Sequence, residues 1–143
     1  MQEKPIEVAL QLALDAHKGQ VDKGGQAYIL HPLRLMMRFS DETMQIISLL
    51  HDVVEDSDIT LEQIAQLGFD QTIIDALNVL TKKEQEPYEQ FIQRVSTNRL
   101  AIQVKIADLK DNLNIARIPH ELTQKDLLRL NKYHCALMYL LSL

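Results

Sequence analysis

Ionisable side chains break the apolar pattern in the middle of the chain. His51 and Asp52 are adjacent and directly follow the apolar run IISLL. Glu55 and Asp56 come one helical turn later, so that four ionisable groups share one helix end. Carboxylates at a C-terminal helix end oppose the helix dipole, and buried charges are costly unless they are paired or bind a metal. The cluster therefore favours a cation site over its alternative, a solvated helix end beside a hydrogen-bonded core histidine.

A second polar row lies in the segment LAIQVKIADLKDNLNIA. Lys105, Asp108 and Asn112 are three and four residues apart, so a cation, a carboxylate and an amide share one helix face. Taken alone, this row also fits an ordinary Lys–Asp surface pair. A further imidazole comes from His31, which directly precedes Pro32.

Together these segments offer two imidazoles and two carboxylates. Such a mixed nitrogen and oxygen set suits Mn²⁺, Fe²⁺, Zn²⁺ or a similar ion, and it leaves coordination positions open for water and substrate. Open positions indicate catalysis rather than a structural metal. The sequence therefore predicts a catalytic metal centre with the ligands His31, His51, Asp52 and Asp108.

The elements that must position these residues are predicted to be helices. Prolines and glycines fall between apolar runs rather than inside them, and the apolar residues repeat at helical spacing. No stretch shows the sustained alternation of a strand. The predicted helices cover residues 5–18, 31–39, 43–56, 61–68, 71–81, 88–96, 98–118 and 123–143. The predicted caps are Ser40, Asp41 or Thr43 for the third helix, a capping box of Thr60 and Gln63 for the fourth, and Asp70 for the fifth. The expectation is an all-α fold, a compact multi-helix bundle formed by a single domain over residues 1–143.

Composition limits the classes of molecule that the chain is expected to bind. The formal net charge of −5 argues against nucleic acid, because binding to a phosphate backbone depends on clustered Lys and Arg. A small anionic substrate would need local cations or a metal. The N-terminus lacks the pattern of a signal peptide, no apolar run approaches the ~18 residues of a membrane span, and Cys135 is the only cysteine. We expect a cytoplasmic protein without membrane contact, and the apolar last helix leaves a homo-oligomer open.

Three motifs, HPLRL, LLHDVVED and VKIADLKDN, resemble the hydrolase half of the RelA/SpoT alarmone enzymes and the small alarmone hydrolases, which belong to the HD superfamily. The resemblance covers about residues 16–117. It implies an HD-domain helical bundle and Mn²⁺ at the four ligands named above, with Fe²⁺, Zn²⁺ and Mg²⁺ as alternatives.

The resemblance also implies roles around the metal. Glu55 and Asp56 would orient or activate the attacking water, and Asn112 would shape the substrate site. Residues that could bind the substrate are Lys18, Lys23, Lys105 and Lys110, as counter-charges for phosphates, and Tyr28, which could stack on a base or pack the loop.

Two departures from the family concern the substrate. Alarmone hydrolases carry a basic run with an arginine in the loop after the sequence GQ, whereas Val21 and Asp22 stand there in this chain. The arginine shortly after the family's asparagine is replaced too, since Leu113 and Asn114 follow. The leading hypothesis is a metal-dependent phosphohydrolase acting on a nucleotide, with (p)ppGpp 3′-pyrophosphate hydrolysis as the first reaction. The alternatives are an HD-type hydrolase of another nucleotide or deoxynucleotide, and a non-catalytic nucleotide-binding regulatory module.

Overall fold

The computed structural model describes residues 2–143, and helices dominate them. The α-helices are α1 (Pro5–His17), α2 (Leu30–Met36), α3 (Glu42–Leu50), α4 (Val53–Asp56), α5 (Leu61–Ala65), α6 (Gln71–Leu80), α7 (Tyr88–Val95), α8 (Arg99–Asn112) and α9 (Gln124–Leu141), and a 3-10 turn at Ile115–Arg117 separates α8 from α9. Within residues 2–143 the β pairing is confined to one bridge between Val21 and Ala27. The all-α prediction is confirmed.

The centre of the bundle is α3, because it is apolar on nearly every side. Ile47, Leu49 and Leu50 are at most 1% exposed, and α3 contacts α1, α2, α6 and α8. Full burial of side chains of this size contributes roughly 1.5–3 kcal/mol each, which fixes α3 in the interior. His51, which directly follows Leu50, is therefore held in the core, and Asp52 is half-buried beside it.

The helix starts follow the predicted capping chemistry in two of three cases. The Asp41 carboxylate accepts a hydrogen bond from the amide of Met44 at 3.1 Å. Thr60 and Gln63 form the predicted capping box, with Gln63 N donating to Thr60 Oγ1 at 3.1 Å and Thr60 N donating to Gln63 Oε1 at 2.9 Å. Asp70 occupies the N-cap of α6, but its side chain makes no capping hydrogen bond within residues 2–143.

The predicted helix over residues 43–56 is interrupted at His51 and Asp52, which separates α3 from α4. The imidazole Nδ1 of His51 lies 2.6 Å from the carbonyl oxygen of Ser48, the acceptor that the amide of Asp52 would use in a continuous helix. Asp52 adopts φ −107° and ψ 0°, away from ideal helical values. A side chain thus competes with the backbone ladder and ends α3 where the polar cluster begins.

The predicted helix over residues 98–118 is also too long, since α8 ends at Asn112. Asn114 starts a new turn instead, and its side-chain oxygen accepts a hydrogen bond from the amide of Ala116 at 3.2 Å. Asparagine competes in this way with helical hydrogen bonds and favours turns. The chain then turns back, which brings Arg117 beside the loop that precedes α2.

The loop between α1 and α2 packs closely against this turn at Gly24. A Cβ at position 24 would lie 2.6 Å from the carbonyl oxygen of Arg117, so the approach requires glycine. The two segments together form one wall of the cavity described below. None of the helices between residues 2 and 143 combines the length and the hydropathy needed to cross a membrane.

Thr60→Ala is expected to lower the free energy of unfolding by about 1 kcal/mol, because it removes the side-chain acceptor of the α5 capping box. Urea denaturation followed by circular dichroism measures the change. Thr72→Ala, at an exposed position inside α6, is the matched control and should change stability by less than about half that amount. Equal effects of the two substitutions would contradict the capping role.

Candidate metal centre

Three separate segments bring the predicted metal ligands together. α2 carries His31, the break between α3 and α4 carries His51 and Asp52, and α8 carries Asp108. One ligand atom from each of these four residues lies within 4.8 Å of the others. Both histidines and Asp108 are at most 4% exposed. The four predicted ligands, of which His31 and Asp108 are 77 positions apart in the sequence, therefore form one compact cluster in the structure.

The imidazole Nε2 atoms face the two carboxylates. His31 Nε2 is 2.8 Å from Asp108 Oδ1 and 3.8 Å from Asp52 Oδ2. His51 Nε2 is 2.9 Å from Asp52 Oδ2 and 3.4 Å from Asp108 Oδ1. Each histidine therefore points the same ring nitrogen toward the same pair of oxygen ligands.

The opposite ring nitrogens have partners that can only accept a hydrogen bond. His51 Nδ1 lies 2.6 Å from the carbonyl oxygen of Ser48, and His31 Nδ1 lies 2.6 Å from the carboxylate of Asp111. Both Nδ1 atoms must then carry the proton. A neutral imidazole in this tautomer has its lone pair on Nε2, directed at the cluster, which is the arrangement that metal-binding histidines require.

These residues fit a divalent cation. His51 Nε2 is buried and, although it lies near Asp52, the alignment is poor and the atom has no hydrogen-bond partner within residues 2–143. A lone pair that faces carboxylate oxygens is repelled unless a positive charge lies between them. Two imidazoles and two carboxylates are also a donor set that divalent ions such as Zn²⁺ accept.

The pKa shifts show the same need for positive charge. Burial lowers the pKa of His51, but the charge of Asp52 and the neighbouring Asp108 outweigh this and raise it well above its usual value. Burial raises the pKa of Asp52, but the charge of His51 outweighs it and lowers the pKa to about 2. Without a metal, protons on the imidazoles balance the carboxylates, and a cation would displace those protons.

Asp108 is held by its own helix. Lys105 Nζ donates to Asp108 Oδ2 at 2.8 Å, and Asn112 Nδ2 donates to Asp108 Oδ1 at 3.0 Å, as the spacing in α8 predicts. Burial raises the pKa of Asp108, but the Lys105 charge, the hydrogen bond with His31 and the charge of His51 bring it well below its usual range. This carboxylate therefore stays ionised at every physiological pH.

Asp52 is oriented by Tyr28, whose hydroxyl donates a hydrogen bond to Asp52 Oδ2. The Tyr28 ring lies against His17 and His31, with ring centroids 4.9 Å and 5.6 Å away. Burial and then the charge of Asp52 raise the pKa of Tyr28, so the hydroxyl remains a donor. Tyr28 therefore holds a candidate metal ligand in place, and this contact was not predicted from the sequence.

Glu55 and Asp56 lie at the edge of the cluster, on α4. Their side chains reach solvent, yet partial desolvation, followed by the charge of Asp52, raises the pKa of Asp56 to about 6. Partial desolvation also raises the pKa of Glu55, against the effect of a hydrogen bond from the amide of Lys82. Both carboxylates can take up a proton closer to neutral pH than ordinary acidic side chains.

The segment that supplies the Lys82 amide, residues 81–87 between α6 and α7, is anchored by Arg94. The guanidinium donates to the carbonyl oxygens of Asn78 at 3.0 Å and Thr81 at 2.8 Å, and it pairs with Glu86 at 2.9 Å. Glu86 in turn accepts from the amide of Lys83 at 3.0 Å. The position of Glu55 thus depends on contacts made well outside the cluster.

Two cavities meet at the cluster. The carboxylate cavity, of about 310 Å³, is lined by Asp52, Glu55, Asp56, Lys105 and Asp108 among other residues. The arginine cavity, of about 410 Å³, is lined by the cationic residues Lys23, Arg34, Arg117 and Arg129 as well as by His31. Both cavities share the lining residues Tyr28, Asn112 and Tyr133.

The predicted substrate-binding residues divide between these cavities and the outer surface. Lys23 and Tyr28 line the arginine cavity, and Lys105 lines the carboxylate cavity. Lys18 and Lys110 are exposed and line neither cavity. The sequence did not predict Arg34, Arg117, Arg129 and Tyr133 as cavity residues. In the sequence each of them has the spacing of an ordinary helix-surface or turn residue, and their side chains line one cavity only after the chain has folded.

Comparison with known proteins relates the chain to one group. It is 32% identical over 117 residues to a guanosine-3′,5′-bis(diphosphate) 3′-pyrophosphohydrolase of Vibrio cholerae, covering 71% of this chain. It is 31% identical over 126 residues to the bifunctional (p)ppGpp synthase/hydrolase SpoT of Escherichia coli, covering 77% of this chain. The chain is a homologue of these SpoT-type enzymes. It spans only 16% and 18% of their respective lengths.

The fold agrees with this SpoT-type relationship. A solved structure described as a metazoan ortholog of SpoT that hydrolyzes ppGpp superposes with a TM-score of 0.80. The match covers 99% of this chain and 87% of the other, at 24% sequence identity. No protein-family model matches the chain.

Adding Mn²⁺ is expected to raise the midpoint of thermal unfolding, because a ligand that binds only the folded state stabilises it by about 2.7 kcal/mol at about 100 times its Kd. Asp108→Asn should remove this shift, since it takes one charged ligand from the cluster. Asp75→Asn, on the exposed face of α6, should preserve it. Differential scanning calorimetry with Mn²⁺ and with a chelator measures both, and a full shift in Asp108→Asn would count against the metal centre.

Proposed function

We propose that the chain is a metal-dependent phosphohydrolase of the HD type that acts on a nucleotide. Guanosine bis(diphosphate) is the first candidate substrate, with pyrophosphate released from its 3′ position. The observation that carries the proposal is the convergence of His31, His51, Asp52 and Asp108 within 4.8 Å at the meeting point of two cavities. The names of the SpoT-type relatives support the substrate, and we assign the activity to residues 1–143 acting as one domain.

The four converging residues would hold the cation, for which Mn²⁺ is the first candidate and Fe²⁺, Zn²⁺ and Mg²⁺ are alternatives. A cation held there supplies Lewis-acid polarisation of a phosphoryl oxygen and makes water more acidic. Around it, Tyr28 fixes Asp52, and Lys105 with Asn112 fixes Asp108. Because these two carboxylates are already held in position, they lose little conformational freedom when the cation and the substrate bind.

Glu55 and Asp56 are proposed to orient the attacking water and to accept its proton. A general base works best when its pKa lies near the working pH, and the pKa of Asp56 is raised to about 6. As the water oxygen bonds to phosphorus, the phosphoester bond breaks and the electron pair leaves with the sugar oxygen. The proton taken from water is then available to that oxygen or to solvent.

The arginine cavity is proposed to bind the phosphates that are not attacked. Lys23, Arg34, Arg117 and Arg129 surround it, and planar guanidinium groups match phosphate oxygens geometrically. Arg34 and Arg117 pair with Asp111 and Arg129 pairs with Asp126, yet these cations face the cavity and would attract an anionic substrate locally although the formal net charge of the chain is −5. Tyr28 and Asn112 line both cavities and would contact a substrate that extends from one into the other.

A substrate panel tests the proposal. The purified chain with Mn²⁺ is expected to release pyrophosphate from ppGpp, and Asp108→Ala should reduce the rate by at least about 100-fold, because even residues that only support metal ligands cost up to that factor. Ion chromatography of the products separates pyrophosphate from phosphate. Cleavage of a nucleoside or deoxynucleoside monophosphate with ppGpp left intact would favour the alternative nucleotide hydrolase. Binding of these nucleotides without cleavage of any would favour the regulatory module.

Glu55→Gln is expected to lower kcat by roughly 10²–10⁴-fold, because the amide cannot accept the proton of water although it can still accept the Lys82 hydrogen bond. The thermal shift caused by Mn²⁺ should remain, since Glu55 lies outside the set of four ligands. Glu62→Gln, at an exposed position of α5, is the control and should leave kcat unchanged. If Glu55→Gln retained full kcat, Glu55 would have no part in proton transfer.

A further inference from the structure

Asp111 is a buried carboxylate next to the metal centre that is not one of the four converging residues. It is 3% exposed and lies on α8, one residue before Asn112. Its Oδ2 accepts a hydrogen bond from His31 Nδ1 at 2.6 Å. The contact lies on the side of the imidazole away from Asp108, so the ring is held between two carboxylates of the same helix.

Two arginines bind the same carboxylate. Arg34 donates through Nε to Oδ1 and through Nη2 to Oδ2, both at 2.9 Å. Arg117 Nη2 donates to the Asp111 backbone oxygen at 2.8 Å and to Oδ2 at 3.3 Å. A third carboxylate beside Asp52 and Asp108 would otherwise add to their mutual repulsion, and the guanidinium groups offset its charge.

We infer that Asp111 is a positioning residue for the metal centre, because its carboxylate fixes the ring orientation and the tautomer of His31 and so directs Nε2 toward the cation. The inference rests on the proposed metal-dependent function. Rotation of the ring by half a turn would place a carbon where Nε2 now lies and would break the Nδ1 hydrogen bond. Outer carboxylates that accept a hydrogen bond from a histidine ligand typically contribute about 10–100-fold to metal affinity.

A simple ion pair is the competing explanation. In that case Asp111 would serve only to hold Arg34 and Arg117 at the wall of the arginine cavity. Replacing Asp111 alone does not separate the two explanations, because it also leaves two uncompensated cations close to the metal. The separation requires variants that have equal charge but differ in the hydrogen-bond acceptor for His31.

Two double variants meet this requirement. Asp111→Asn with Arg34→Met retains an oxygen acceptor for His31 Nδ1 and removes the guanidinium that would oppose the new amide group. Asp111→Leu with Arg34→Met has nearly the same shape and the same charge but offers no acceptor. The Kd for Mn²⁺, measured from the electron paramagnetic resonance signal of the free ion, is expected to be about 10–100-fold higher for the Leu variant than for the Asn variant.

Equal Mn²⁺ affinity in the two folded variants would overturn the inference and leave Asp111 as an arginine partner. Thermal unfolding without metal checks that both variants fold. If the Leu variant does not, Asp111→Ala with Arg34→Met provides the same contrast with a smaller side chain. Arg34→Met alone is expected to keep the Kd within a few-fold of the original chain, since Asp111 still accepts from His31 and Arg117.

The original chain and Asp108→Asn distinguish this inference from the function on which it rests. Weak Mn²⁺ binding by the original chain, or unchanged binding by Asp108→Asn, would remove the metal centre itself. Tight binding by the original chain that Asp108→Asn abolishes, together with equal affinities of the two double variants, would remove only the role of Asp111. Since the readout is metal affinity, neither conclusion depends on the choice of nucleotide.

Discussion

The structure depends on balancing negative charge in its interior. Asp52 and Asp108 lie within one cluster at the buried end of α3, where Asp108 is 4% exposed and Asp52 is half-buried, so that water screens their charges less than at the surface. Positive charge has to balance these two carboxylates, and it has three possible sources. The chain itself supplies protons on the two imidazoles and the ammonium group of Lys105, and a bound cation would be the third. The first two balance the cluster without metal. A divalent ion would take the place of the imidazole protons, so that the same arrangement both stabilises the apoprotein and prepares the site for metal.

The helices serve this cluster in different ways. The apolar sides of α3 bury its C-terminal end, and the break after Leu50 turns His51 and Asp52 toward the other candidate ligands. The polar row of α8 supplies a candidate ligand, its counter-charge and an amide within two turns. The turn that ends α8 returns the chain to the loop at Gly24, and this return builds the arginine cavity beside the candidate metal centre. Fold and site are therefore set by the same few departures from regular helix.

Much of this arrangement follows from local sequence patterns. Helical periodicity predicts the helices, and the combination of a histidine before proline, a His–Asp doublet and a distant aspartate predicts which side chains converge. The break between α3 and α4 and the end of α8 at Asn112 were not predicted, because a His51 side-chain contact and an Asn114 turn outweigh the tendency of the apolar pattern to continue. Asp111, Arg34 and Arg117 were not predicted either. Their spacing along the chain is that of surface residues, and their shared hydrogen bonds arise only when α2, α8 and the following turn pack together.

The segment between α6 and α7 illustrates how a surface connection can become restricted in length. Connections of this kind ordinarily tolerate inserted residues, because their backbone is solvated. Here the amide of Lys82 donates to Glu55, and Arg94 clamps the segment on both sides of that amide, at Thr81 and at Glu86. One added residue would shift the amide by about 3.3–3.6 Å along the chain, more than a hydrogen bond can stretch. Evolution and protein engineering can therefore vary the residue types in this segment far more freely than their number.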